Sequence, residues 1–160
     1  MSTSSADYQD YVHKHATWNF WVNVLDLAFY VMAGSLIYGS TVMALYTSYL
    51  TDSKLLIGLI PALQNAGYYV PQLIWAQKTE QTPRKKPLIL RVSVIERAGY
   101  LVIALVILLV PGAPRWLAYA VLALSLGTAA TAGGLVAPAW HSLIAKVIPV
   151  SRRGRQLGLG

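Results

Sequence analysis

One carboxylate lies inside the first long apolar stretch of the chain, Asp26 in "WVNVLDLAFYVMAGSLIYGSTVMALY". Placed on a helix at about 100° per residue, Asn23, Asp26, Tyr30, Gly34, Tyr38, Thr41 and Ser48 share one side, and Trp21, Leu25, Ala28, Met32, Leu36, Met43 and Leu50 share the other. An Asp at the centre of a helix in lipid costs about 2.5–3.5 kcal/mol on the insertion scale, so such a stripe is expected to face protein or a wet cavity. Two readings stand. The stripe lines a water-filled path, with Asp26 as the group for charge pairing or proton coupling, or it is glue between helices, with Asp26 shallow enough to reach the interface.

A second polar arc follows: Gln64, Asn65, Tyr68 and Gln72 lie among Gly58, Pro61, Gly67 and Pro71. Each internal proline removes a backbone hydrogen bond and invites a kink, which serves either a hinge or a static bend. Further along, "ALSLGTAATAGGLVAPAW" aligns Ala120, Ala123, Gly127, Thr131, Gly134, Pro138 and Ala145. Small residues at that spacing allow two backbones to approach closely, as a packing seam or a sliding surface.

Hydrolytic and redox chemistry find no residues to carry them. No nucleophile and base, paired carboxylates or phosphate-cradling glycine loop can be picked out. Cysteine is absent, and His13, His15 and His141 lack the spacing of a metal set. The expectation is a protein that is not an enzyme, with no catalytic residue, no metal and no cofactor.

The elements that must hold these stripes are membrane helices. Of 160 residues, 56% are hydrophobic and 12% charged, with mean hydropathy +0.50. About twenty apolar residues span the hydrocarbon, and four segments qualify, at 18–50, 55–75, 88–110 and 116–147, after a polar tail at 1–17. The third, with Arg91, Glu96 and Arg97 near its cytoplasmic end and an apolar remainder, reads as an outer helix facing lipid. A fifth apolar run begins at about residue 155, too short to span, so the chain reads as the start of a longer array.

Charge gives the sidedness. Lys78, Arg84, Lys85, Lys86, Arg91, Lys146, Arg152, Arg153 and Arg155 fall on one side, nine in all, against Lys54 and Arg115 on the other. The positive-inside rule puts the nine in the cytoplasm together with the N-terminus, in a multi-pass protein of the cell membrane. Trp18, Phe20, Trp21, Trp75 and Trp116 mark span ends as headgroup-level belts. No exposed aromatic platform accompanies the basic clusters, so nucleic acid is not an expected partner.

The connection between the second and third spans, "AQKTEQTPRKK", resembles motif A of the major facilitator superfamily, roughly Gly-x-x-x-Asp-Arg/Lys-x-Gly-Arg-Arg/Lys. Ala76 stands at the first Gly, Glu80 at the Asp, Gln81 at the following base, Pro83 at the second Gly, and Arg84 and Lys85 at the basic pair. "WNFW" leading into a polar-striped helix and "PVSRRGRQLG" before the fifth run are similar to the same family, across essentially the whole chain. The fourth span lacks the Arg of many proton-coupled drug antiporters, which sets the chain apart from that subclass. The resemblance implies an all-α integral membrane fold of twelve helices in two halves, with solute bound near mid-membrane and alternating access between the halves. It implies that the first and fourth helices line the cavity, that the third is peripheral, and that Glu80, Arg84 and Lys85 gate the cytoplasmic ends. The expected function is secondary active transport of a small solute. The chain would be an N-terminal fragment, inactive alone, with the bilayer, the solute and the remaining transporter helices as partners. The alternative is a stand-alone four-helix protein, an assembly partner or a small exporter dimerising around Asp26.

Overall fold

The computed structural model describes residues 5–82 and 84–159, all helix and connecting turns with no strand among them. In chain order the elements are α1 (Ser5–Lys14), α2 (Ala16–Leu36), a π-helical turn (Gly39–Met43), α3 (Ala44–Leu50), α4 (Lys54–Glu80), α5 (Lys85–Leu109), α6 (Arg115–Val147) and α7 (Val150–Leu159). Three stretches are long and apolar enough to cross a membrane: Ala16–Leu50, Lys85–Leu109 and Arg115–Val147. At 27 residues α4 has the length, but its prolines and the amides of Gln64, Asn65 and Gln72 dilute its apolar character, and it is not among the three.

The chain divides into two compact units, Met1–Leu36 with His141–Gly160, and Ile37–Trp140. In the first unit, the segment expected as a polar tail is helical: α1 leads into α2 across His15 alone, whose ring nitrogen Nδ1 donates to the Tyr11 carbonyl at 3.0 Å. Val12, Ala16, Phe20 and Val24 are buried at four-residue spacing, the periodicity of one helix face, and α2 packs against α7. Ile144 and Ile148 are buried too.

The second unit is built around α6, whose residues between Ala118 and Ala139 are buried or half-buried except for Leu124 and Thr128. Met43, Ile60, Ile103, Leu122 and Leu126 form its apolar core. Tyr119 donates its hydroxyl to the Leu56 carbonyl at 3.0 Å, tying the start of α6 to the start of α4. The α4 N-terminus is capped by Ser53, whose Oγ accepts from the Leu56 N–H, satisfying one of the amides that a helix start leaves over. In α5 the buried residues are Glu96, Gly99 and Ile103, a seam along one face, and Lys85 at its start.

The first span departs from expectation. A continuous helix over 18–50 is anticipated from apolarity, yet the helix stops at Leu36 and Tyr38 is extended, at φ −67° and ψ 131°. The Tyr38 carbonyl then accepts from the backbone N–H groups of Thr41 at 3.2 Å and Met43 at 3.3 Å, and from the Thr41 hydroxyl at 3.3 Å. The local sequence "GSLIYGST" explains why the break falls here. Glycine is a poor helix former, and Ser and Thr offer the backbone competing hydrogen bonds, as Ser35 does to the Val31 carbonyl at 2.9 Å.

Candidate functional site

Each residue of the first stripe has a definite local setting. Asn23 is half-buried and its amide donates to the Asn19 carbonyl at 2.7 Å. Asp26, Tyr30, Tyr38 and Thr41 are exposed, and Gly34 is half-buried with open space where a Cβ would stand. On the opposite side Trp21, Leu25, Met32 and Leu36 are also exposed, whereas Met43, beyond the break, joins the core of the second unit. One turn further, Thr47 is fully buried and donates to the Met43 carbonyl at 2.7 Å, which meets its hydrogen-bonding need within its own helix. The π-helical turn thus sets the face of α3 that enters the core.

The second arc divides. Asn65 is exposed and donates to the Pro61 carbonyl at 2.9 Å, and Gln72 is half-buried. Gln64 and Tyr68 instead turn toward α5, where Glu96 and Arg97, about 100° apart on the helix, are expected from sequence to pair with other segments or to snorkel to the headgroups. Arg97 is exposed and donates to the Ser93 carbonyl at 3.2 Å. Glu96, 100° round the helix, is only 6% exposed. Tyr100, one turn on from Glu96, shares a side-chain hydrogen bond with Gln64, and both Tyr68 and Tyr100 lie close enough to Glu96 to feel its charge.

Glycines make this junction possible. A Cβ on Gly133 of α6 would stand 3.1 Å from Oε1 of Glu96 and 3.6 Å from Cδ2 of Tyr68. At Gly134 it would collide with the Tyr68 carbonyl, and at Gly99 it would meet the Ser125 carbonyl at 2.7 Å. Gly67 brings α4 to α6, its missing Cβ lying 3.1 Å from Cβ of Ala130, 3.3 Å from the Gly127 carbonyl and 3.4 Å from the Thr131 nitrogen. Of the packing residues expected on α6, Gly134 makes the tightest approach, Gly127 and Thr131 offer backbone to Gly67, and Pro138 is half-buried within the helix. Beside Gly127 itself there is open space. Gly99, Tyr100 and Gly133 escaped the sequence reading, and so did the burial of Glu96. The available signal was the spacing of Glu96, Gly99, Tyr100 and Ile103, which is one helix face.

At the basic connection, Glu80 ends α4, Arg84 precedes α5 and is exposed, and Lys85 opens α5 at 7% exposure. Pro83, and the side chain of Glu80, lie outside the described residues. Lys78 sits over the Trp75 ring at 4.3 Å, a cation–π contact suited to the headgroup level. Thr79 is buried, and its Oγ1 meets no hydrogen-bond partner among the described residues.

Compared with known proteins, the chain matches no family model, no curated protein and no solved structure.

Proposed function

We propose that these helices form the N-terminal part of a secondary active transporter of the major facilitator type, carrying a small solute across the cell membrane, with the N-terminus in the cytoplasm. In this reading α4 is a span as well, so that the first stretch, α4, α5 and α6 make four crossings. The observation that carries the proposal is the break at Ile37–Met43, which falls within the polar stripe of an otherwise apolar span. Irregular backbone at membrane depth is tolerated where protein buries it or where it lines a water-filled cavity, and transporters build solute sites at such interruptions. The stripe from Asn23 to Thr41 and the arc from Gln64 to Gln72 are then the solute-facing surfaces. Glu80, Arg84 and Lys85, which resemble motif A, hold the cytoplasmic ends in one of the two access states.

The test uses the absence of cysteine from the chain. Single cysteines at Gly34, Tyr38 and Thr41 are expected to react with small water-soluble thiol reagents in the native membrane and to be protected by solute. Cysteines at Met32 and Leu36 are expected to stay silent in lipid. Silence all along the stripe would mean that neighbouring helices cover it, and the transport reading would fail.

A further inference from the structure

Glu96 is the only buried carboxylate among the side chains described. It lies near the middle of α5, eleven residues after Lys85 and thirteen before Leu109, so about 16 Å and about 20 Å separate it from the two helix ends at 1.5 Å per residue. A carboxylate buried among membrane helices is expensive, and its presence marks an ion pathway or proton relay by default. Each surrounding helix contributes to its setting. From α4 come Tyr68, which is titratable, and the neutral amide of Gln64; from α5 itself comes Tyr100; from α6 comes Gly133, whose missing Cβ leaves room for the carboxyl against the backbone.

The chemistry of these neighbours is permissive toward charge. Tyr68, Tyr100 and Gln64 each carry both a donor and an acceptor. Such a cluster can donate to a carboxylate or accept from a carboxylic acid without a change of residue. We infer that Glu96 is a proton-exchange site set into the α4–α5–α6 junction, with Tyr68 and Tyr100 as positioning residues. The step is proton transfer alone: a carboxylate oxygen takes a proton from hydronium and later returns it to water, and no bond other than O–H is made or broken. Coupling of this exchange to solute movement rests on the transporter reading; the exchange itself does not.

Infrared difference spectroscopy of the chain in lipid nanodiscs, stepped from mildly acid to mildly alkaline pH, tests it directly. A protonated-carboxyl stretch that titrates in the wild type and disappears in Glu96→Gln is the expected result. Coinciding spectra for the two proteins would overturn the assignment. Replacing sodium by choline at fixed pH should leave the band unchanged, and a band set by sodium would also overturn it. If Glu96→Gln fails to fold by circular dichroism, Gly133→Ala carries the test. A methyl placed beside Oε1 meets the movable end of a side chain, and should displace the midpoint by at least about tenfold in proton activity, one pK unit; an unmoved midpoint defeats the proposal. Failure of the cysteine scan on the first span leaves these outcomes untouched, so the two readings fall separately.

Discussion

Gly127 and Gly134 belong to the same small-residue face of α6, but their surroundings differ. A methyl at Gly134 runs into the Tyr68 carbonyl, while a methyl at Gly127 meets nothing within 4 Å. Backbone cannot yield as a side-chain tip can, so Gly134→Ala has to push α4 and α6 apart. Overpacking of that kind costs roughly 1–3 kcal/mol, occasionally more. Gly127→Ala is expected to be neutral or to gain up to about 1 kcal/mol, since alanine favours the helix. Unfolding in mixed micelles, followed by circular dichroism, compares the two directly. Equal losses would mean that close approach at Tyr68 does not hold the helices together. Sequence periodicity identifies the face but cannot rank its members, because each rank depends on which atom of another helix lies opposite.

Among the elements, the interrupted first span is the one whose behaviour is most distinctive. The extended Tyr38 backbone interrupts the hydrogen-bond ladder between α2 and the π-helical turn. The middle of α5, by contrast, runs as unbroken helix to Leu109. Amides at positions 38–40 are therefore expected to exchange with deuterium faster than those at 101–105, on the order of tenfold or more, because local opening there disrupts fewer bonds. Exchange measured by NMR or by mass spectrometry with peptide resolution checks this. Protection at 38–40 equal to that of α5 would show a continuous helix instead. The same comparison distinguishes α4, where two internal prolines, Pro61 and Pro71, do not end the helix.

For the whole molecule, the prediction with the broadest consequence is orientation. Nine Lys and Arg cluster at 78–91 and 146–155, against Lys54 and Arg115 in the other two connections, and under the positive-inside rule this asymmetry is expected to set the direction of insertion. Ser53 and Ser151 are both exposed, one before α4 and the other after α6. Ser53→Cys is expected to be labelled by an impermeant thiol reagent on intact cells, and Ser151→Cys only after permeabilisation. The reverse pattern would invert the topology. Equal labelling of both on intact cells would place residues 53 and 151 on the same side, and α4 would then not be a span.

Composition and hydropathy were enough to read an all-helical protein with membrane-spanning stretches, because the cost of bare backbone in lipid leaves few alternatives. Continuity of the first span was not legible: hydropathy averages over residues, whereas the break at Tyr38 turns on the backbone bonds that a few Gly, Ser and Thr residues make locally. Nor was the setting of Glu96 legible. Adjacent helical residues point about 100° apart, so from sequence Glu96 and Arg97 read as pairing with other segments or snorkelling to the headgroups, with no partner identified for either. Tertiary packing decided that one of them faces outward, while the other faces Gly133 and the tyrosines of α4 and α5. Which side chain meets which is set by how closely α4, α5 and α6 approach, and only the glycines on all three helices, taken together in space, determine that.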